Sequence, residues 1–433
     1  MTVQSTMNLD REYITDLSNA YHEPAWALEL RLRGLEQAEV LPLPTLEKTK
    51  IDKWNIISPC GVNREKPVSL EELPQEVTSI LGSGEQAGNL IIHKNGSVVY
   101  SSLQKELRDQ GVIFTDLLTA MREHGELVRK YLHQLVKTDE HKLAALHAAL
   151  LNCGVFLYVP KHVEVKVPVQ NLFWVDDHTN GMVPHVLIVA DDHSKVTYVE
   201  NSFGQASNDS VNNYVAEVFV GANAQVTFAA VDYLSEQMTN YVYRRAIVER
   251  DGQIDWALGQ MNDGNTVSDN TTILKGNGSR GDTKSVVVGV GQQSLNFVQR
   301  MNQFGLASDG QMLSHGVMKD EARAIFNGIT KIEKGATKAN GEQTERVLML
   351  SERARGDANP ILLIDEDDVT AGHAASVGKM DEEQIYYLMS RGITRAEAER
   401  FIIMGFLNPV IANIPLEGLR KRLVEVIERK IGS

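Results

Sequence analysis

Val186-Leu-Ile-Val-Ala-Asp-Asp-His-Ser-Lys-Val-Thr-Tyr-Val199 is the stretch on which the fold turns. Two β-rich runs, Val186–Val189 and Val196–Val199, flank a polar turn, Ala190–Lys195. Branched and aromatic side chains suit a pleated surface, and the polar residues between them punctuate it. The device returns at Val218–Val220 and Val226–Phe228 around Gly221–Gln225, and at Ile247–Glu249 and Ile254–Trp256 around Arg250–Gln253. It continues around Gly276–Gly281, Asp309-Gly310, Gly335 and Asp367. Successive turns lie roughly 25–32 residues apart, a period expected of stacked repeats. No helix-length amphipathic segment interrupts them, which argues against βαβ units. A β-sandwich and a parallel β-helix both fit the pattern. Recurrence over roughly 200 residues favours the β-helix, because a sandwich finishes sooner.

Outward from this core the texture becomes helical. Residues 9–36 read as helix with a break near Pro24, and residues 40–75, with Pro42, Pro44, Pro59, Pro67 and Pro74, read as irregular connection. Leu90–His93 and Ser97–Tyr100 around Asn95-Gly96 predict a hairpin. Helices are expected over 116–135 and 139–151. Past Gly378, Asp381-Glu-Glu-Gln384 and Thr394-Arg-Ala-Glu397 resemble capping boxes, each opening a short helix. A last helix follows Pro415, with Leu416, Leu419, Leu423, Val426 and Ile427 on one face. The expected division is a mostly helical region over 1–152, a β-helix core over 153–378 and a helical segment over 379–433. The last is too small to bury a core of its own, so it must pack on the β region or on another chain.

The composition, 42% hydrophobic and 23% charged over 433 residues, is that of a soluble globular protein. A net charge of −14 repels phosphate backbones and anionic lipid, so neither nucleic acid nor membrane is an expected partner. Met1–Leu17 carries Asp10, Glu12 and Asp16 and lacks an apolar leader core, which makes the cytoplasm the expected location. Cys60 and Cys153 fit no metal or redox spacing.

Few motifs point to chemistry. Gly276-Asn-Gly278-Ser-Arg-Gly281 matches a dinucleotide fingerprint, but the strand-like Ser285–Val290 follows where a helix is required, so it reads as a turn. Asp365-Glu-Asp-Asp368 reads as a solvated turn rather than a cation site or an acid–base pair. His141 and His147, six apart on a helix, point in different directions. No nucleophile–base pair can be named, and no catalytic residue is assigned. His373, among the small residues of Ala371-Gly-His-Ala-Ala375, can project uncrowded at the end of the β stack. Its residue type leaves both a structural and a ligating histidine open.

Leu350-Ser-Glu352, Asp367-Asp-Val369, His373-Ala-Ala-Ser-Val-Gly378, Asp381-Glu-Glu-Gln-Ile-Tyr386 and Ser390-Arg-Gly-Ile393 together resemble the SufB/SufD family of iron–sulfur cluster assembly. Glu23-Pro-Ala-Trp26 with Arg31, and the segment Pro42-Leu-Pro44 to Lys53-Trp54, are similar to the same family. SufB-type members carry His-Glu-Ala where this chain has His373-Ala-Ala, and a cysteine inside the β-helix. Here no cysteine follows Cys153, which places the chain with the SufD type.

The resemblance implies a right-handed parallel β-helix between helical ends. It implies a non-catalytic scaffold subunit in a complex with one SufB and two copies of the ATPase SufC. SufB would pair along the β-helix near its C-terminal turns, and SufC would dock on residues 381–430. The family's functional histidine falls on His373, at the SufB interface, where it would be a metal ligand shared with SufB. Some members have a cysteine two residues earlier, where this chain has Ala371. No cofactor is expected on this chain alone, only a transient iron–sulfur cluster at the interface, since such clusters are held mainly by thiolates. The rival readings are a secreted-type β-helix polysaccharide lyase or hydrolase using Asp365–Asp368, and an inert structural adaptor.

Overall fold

A computed structural model describes residues 9–62, 64–78, 81, 88–178, 181–206, 209–414 and 417–432. Its strands are β1 (Leu90–Lys94), β2 (Ser97–Ser102), β3 (Ile113–Asp116), β4 (Cys153–Val159), β5 (Val169–His178), β6 (Pro184–Ala190), β7 (Lys195–Ala206), β8 (Ser210–Val220), β9 (Gln225–Leu234), β10 (Met238–Val248), β11 (Gln253–Gln260), β12 (Thr266–Leu274), β13 (Arg280–Gly289), β14 (Ser294–Gln303), β15 (Asp309–Met318), β16 (Arg323–Ile332), β17 (Asn340–Met349), β18 (Arg355–Ile364) and β19 (Thr370–Lys379). The two runs of the opening stretch, now β6 and β7, do not pair with each other. β6 lies between β4 and β8 and β7 between β5 and β9, all parallel. Each turn therefore carries the chain from one sheet to the other. Two sheets result, ordered β18-β16-β14-β12-β10-β8-β6-β4-β3 and β19-β17-β15-β13-β11-β9-β7-β5-β1-β2. This is the expected parallel β-solenoid, with about eight two-strand rungs.

Alternation fixes what fills it. Inward residues such as Val218, Ala246, Tyr198, Phe228 and Trp256 form the core between the sheets. Phe228 stands 4.9 Å from both Tyr198 and Trp256, so the rings stack from rung to rung. The turns stack as well. His193, Asn223, Asp251, Gly278, Ala307 and Lys338 each adopt a left-handed φ of 50–69°. Each donates its N–H to a carbonyl of the next turn, from His193 to Ala222 at 2.8 Å through to Lys338 to Asp368 at 2.6 Å. The G-x-G-x-x-G segment is one step of this ladder, confirming it as a turn.

At the N-terminal end both parallel ladders stop in antiparallel pairs. β1 and β2 form the predicted hairpin, and β1 adds parallel to β5, while β3 pairs antiparallel with β4. Strands from before residue 153 thus extend both sheets. Around them lie α1 (Arg11–Ala20), α2 (Ala25–Val40), the short α3 (Gln75–Thr78) and α4 (Lys105–Asp109), then α5 (Leu117–Glu123), α6 (Gly125–Tyr131) and α7 (Lys142–Leu150). Arg31 fastens α2 to α7. Its guanidinium is 2% exposed, donates to both Glu23 oxygens at 2.5 and 2.6 Å, and reaches the carbonyls of Ala149 and Leu151. The single helix expected over 116–135 is instead two, broken at His124 and ended by Leu132. The early end comes from Glu217 of β8, whose buried carboxylate takes the N–H groups of His133, Leu135 and Val136 and draws them out of helical pairing.

At the other end come α8 (Glu382–Ser390), α9 (Arg395–Ile411) and α10 (Glu417–Gly432); Pro415 and Leu416, expected to open the last helix, lie outside the described residues. Thr394 and Glu397 form the predicted reciprocal capping box, whereas Asp381 caps α8 by accepting from Glu383 N–H alone. Ile403, Leu407, Leu423 and Ile427 bury against Val231, Val286, Val288 and Val317, so α9 and α10 pack on the solenoid as their size requires. Lys430 locks α10 in place, its ammonium buried and donating to Met261 O, Asn262 O and Asp263 at 2.8–3.0 Å.

Stacked turns leave little room for added atoms. A Cβ on Gly276 would sit 2.0 Å from the Arg250 backbone nitrogen, whereas one on Gly278 would meet only the Asp251 side chain, which can rotate away. Gly276→Ala is therefore expected to destabilise the chain by about 2 kcal/mol or more, and Gly278→Ala by about 1 kcal/mol. Chemical denaturation of the two variants against the parent checks the order.

Candidate functional site

β18 and β19 form the last rung. Among the described residues β18 pairs only with β16 and β19 only with β17, so one backbone edge of each strand is unsatisfied by this chain. Lower rungs bury one face of every strand. In β19 the residues from His373 to Lys379 are exposed in unbroken succession. Ile361, Leu363, Ile364 and Val377 are 38–46% exposed, against 0% for Ile332 one rung below. Two long apolar strands with open edges form a template for another strand or sheet.

His373 sits on this rung in register with Gln343 of β17, and Ala375 with Glu345. Gln343 and Glu345 face inward: Gln343 accepts from Thr330 Oγ1 at 3.0 Å, and Glu345 lies against Gly328. His373 therefore occupies a column that faces the interior in the rungs beneath, but no rung covers it. It lies at the open mouth of the solenoid and is exposed. One step further in, Glu345 is 3% exposed, with Oε2 lacking a hydrogen-bond partner. Burial pushes its carboxyl up to about 7, partly opposed by the Gly328 N–H. Glu345 had no motif to mark it; only its inward parity two residues from Gln343 could have drawn attention to it.

The acidic run does not join the site. Asp365–Asp368 form the turn between β18 and β19. Glu366 accepts from Gly335 N–H and Asp367 N–H, while Lys334 and Lys338 pair with Glu366, Asp367 and Asp368 at 2.9–3.6 Å. The carboxylates of Glu366, Asp367 and Asp368 are thus engaged within the turn stack. Beside the mouth, α8 is exposed except at Ile385, which is buried, and Leu388, which is half-buried, and Tyr386, Tyr387, Met389 and Phe401 present large side chains to solvent. Arg391 covers the Tyr387 ring at 5.2 Å. Cys60 and Cys153 are remote from the mouth. Both are buried, and burial pushes both thiols up, Cys60 to about 12, so neither is a thiolate.

The fold is that of a parallel β-solenoid whose last rung has no further strand among the described residues and is flanked by partly uncovered helices. The family is given by sequence comparison. Residues 173–406 match the model for the SUF system FeS cluster assembly SufBD core domain, and residues 86–171 match that for the SufBD protein N-terminal region. The chain belongs to the SufB/SufD family. It is 55% identical to the iron–sulfur cluster assembly protein SufD of Bacillus subtilis over the full length of both chains. It is 29% identical to SufBD family proteins of Staphylococcus saprophyticus and Staphylococcus epidermidis, over 96% of this chain and 91% of theirs. The resemblance carried by residues 348–386 is thus borne out. No helix among the described residues is long and apolar enough to cross a membrane.

Glu345 makes the mouth sensitive to pH. Its folded pKa is raised above the unfolded carboxylate value, so the folded state holds the proton more tightly, and stability falls as pH rises from about 4.5 through about 7. Glu345→Gln removes that loss. Relative to the parent, the variant is expected to gain about 2–3 kcal/mol between pH 4.5 and 8. Urea denaturation of both across that range tests it.

Proposed function

We propose that this chain is a non-catalytic scaffold subunit of iron–sulfur cluster assembly, pairing through its last rung with a SufB-type solenoid and carrying a SufC-type ATPase on α8–α10. The observation that carries the reading is His373. It is an exposed imidazole on an interior-facing column, at the rung whose backbone edges are open. A strand edge recognises another strand through main-chain hydrogen bonds, and the apolar residues around it supply burial. In such a pairing His373 would lie between two interiors. The cluster is cargo here rather than a resident group. This chain has no thiolate near the mouth, so the partner must supply the sulfur ligands and His373 lends one nitrogen.

The exposed aromatic residues Tyr386, Tyr387 and Phe401 suit α8 and α9 to a partner docking on their outer side, while the inner sides of α9 and α10 hold the sheet. Movement of that partner on ATP hydrolysis would pull on the helices beside the mouth and so alter access to His373. The lyase reading has no support from the site, because its carboxylates are held in turn hydrogen bonds and ion pairs.

Two experiments test this. His373→Ala is expected to lower cluster output several-fold in cells lacking other assembly routes, with the complex still isolated intact; an unchanged yield would leave His373 inert and the chain a structural adaptor. Leu363→Glu puts a charge on the apolar edge. It is expected to weaken co-purification with the SufB-type partner at least tenfold, about 1.4 kcal/mol, while leaving the isolated chain as stable as the parent.

A further inference from the structure

Far from the mouth, three histidines meet beneath the N-terminal helices. His133 lies in the loop held by Glu217, His147 in the middle of α7, and His185 in β6, on the sheet face that α7 covers. The rings form a triangle, with centroids 5.2, 4.9 and 5.2 Å apart. His147 and His185 are fully buried and His133 is 6% exposed.

The hydrogen bonds assign the ring nitrogens. His133 Nδ1 faces Val136 O at 2.9 Å, His147 Nε2 faces Pro184 O at 3.2 Å, and His185 Nε2 faces Glu217 Oε2 at 3.0 Å. Each partner is an acceptor, so each of these nitrogens carries the proton and donates. The opposite nitrogens, His133 Nε2, His147 Nδ1 and His185 Nδ1, are then lone pairs, and all three are buried without a partner. One ring nitrogen from each histidine lies within 4.8 Å of its two counterparts, a grouping that could hold a metal ion.

Three buried, unpartnered lone pairs on adjoining rings are costly to leave unsatisfied, and a water molecule has only two protons to offer them. A cation satisfies all three. The outer hydrogen bonds are those that metal-bound imidazoles make, with the second ring N–H given to a carbonyl or carboxylate. Burial and mutual repulsion hold His133 down at about 4 and His147 well below the ordinary imidazole value, so both rings are uncharged at neutral pH.

We propose that His133, His147 and His185 form a structural site for a divalent first-row transition metal, with zinc the expected occupant and Glu217 as the anionic outer partner. Neutral imidazole suits zinc, which takes nitrogen at about 2.0–2.1 Å. Tetrahedral bonding at that length sets the nitrogens roughly 3.3 Å apart, so the widest pair must close by up to about 1.5 Å, shared between two ring rotations. The ion would staple the loop after α6, α7 and the solenoid face together. Glu217 already serves this join: its Oε1 accepts from Leu135 and Val136 N–H, and its Oε2 from His133 N–H and His185 Nε2. The site is separate from His373.

The full chain, free of any histidine tag, is purified from cells grown with zinc and from cells grown with cobalt. Elemental analysis is expected to give about one metal ion per chain, and the cobalt form the visible absorption of a low-coordinate nitrogen site. His373→Ala should keep the metal and His147→Gln lose it, with circular dichroism confirming that the latter is folded. Stripping the metal should lower the melting temperature by several degrees, restored by one equivalent of zinc. If His147→Gln does not fold, the metal content and cobalt spectrum of the parent chain decide. A parent chain with no stoichiometric metal from either culture overturns the proposal, as does a folded His147→Gln that retains it.

Discussion

The parallel ladder between successive rungs is the interaction on which the rest depends. Every inner strand gives one backbone edge to the rung below and the other to the rung above, with each residue opposite a counterpart in strict register. The side-chain period is two, so register settles at once which residues are core and which are outer face. It also makes each rung incomplete alone. A solenoid has to be terminated, and the two ends of this one are treated differently.

At the first rungs the chain terminates itself. β2 runs antiparallel to β1 and β3 antiparallel to β4, so neither sheet continues its parallel ladder past them. The helices cover the outer face there through Arg31, Glu217 and the histidine cluster. At the last rung no such closure exists among the described residues. β18 and β19 keep their open edges and their apolar side chains, and a buried carboxyl with one unmatched oxygen stands a single rung beneath. A monomer that leaves such an edge exposed risks aggregation unless a partner covers it.

The interior is not uniformly apolar. Arg244 meets Asp232 at 2.6 Å and lies 5.0 Å over the Tyr214 ring, while Tyr198 donates to Glu200 at 2.7 Å. Desolvation pushes Glu200 up to about 7 despite the nearby Arg244. A buried pair of this kind adds little net stability, but a slip of one rung would leave its charges unmatched, so it favours one register over the others.

Sequence by itself determined the solenoid, its helical flanks and its family, because those rest on local signals repeated many times. Turn residues recur at each step, β-branched runs lie between them, and Thr394 with Glu397 marks a helix start within four residues. The uncrowded, exposed placement of His373 at the end of the β stack was legible for the same reason, since it lies in a run of small residues. What only the tertiary structure decided depends on residues distant in sequence. Spacing alone could not reveal that His133, His147 and His185 converge, because three different elements supply them. The helix expected through residue 135 fails because a carboxylate more than 80 residues later takes its N–H groups. Local propensity records what a segment prefers alone, whereas a buried charge needing donors overrides that preference once the chain has folded around it.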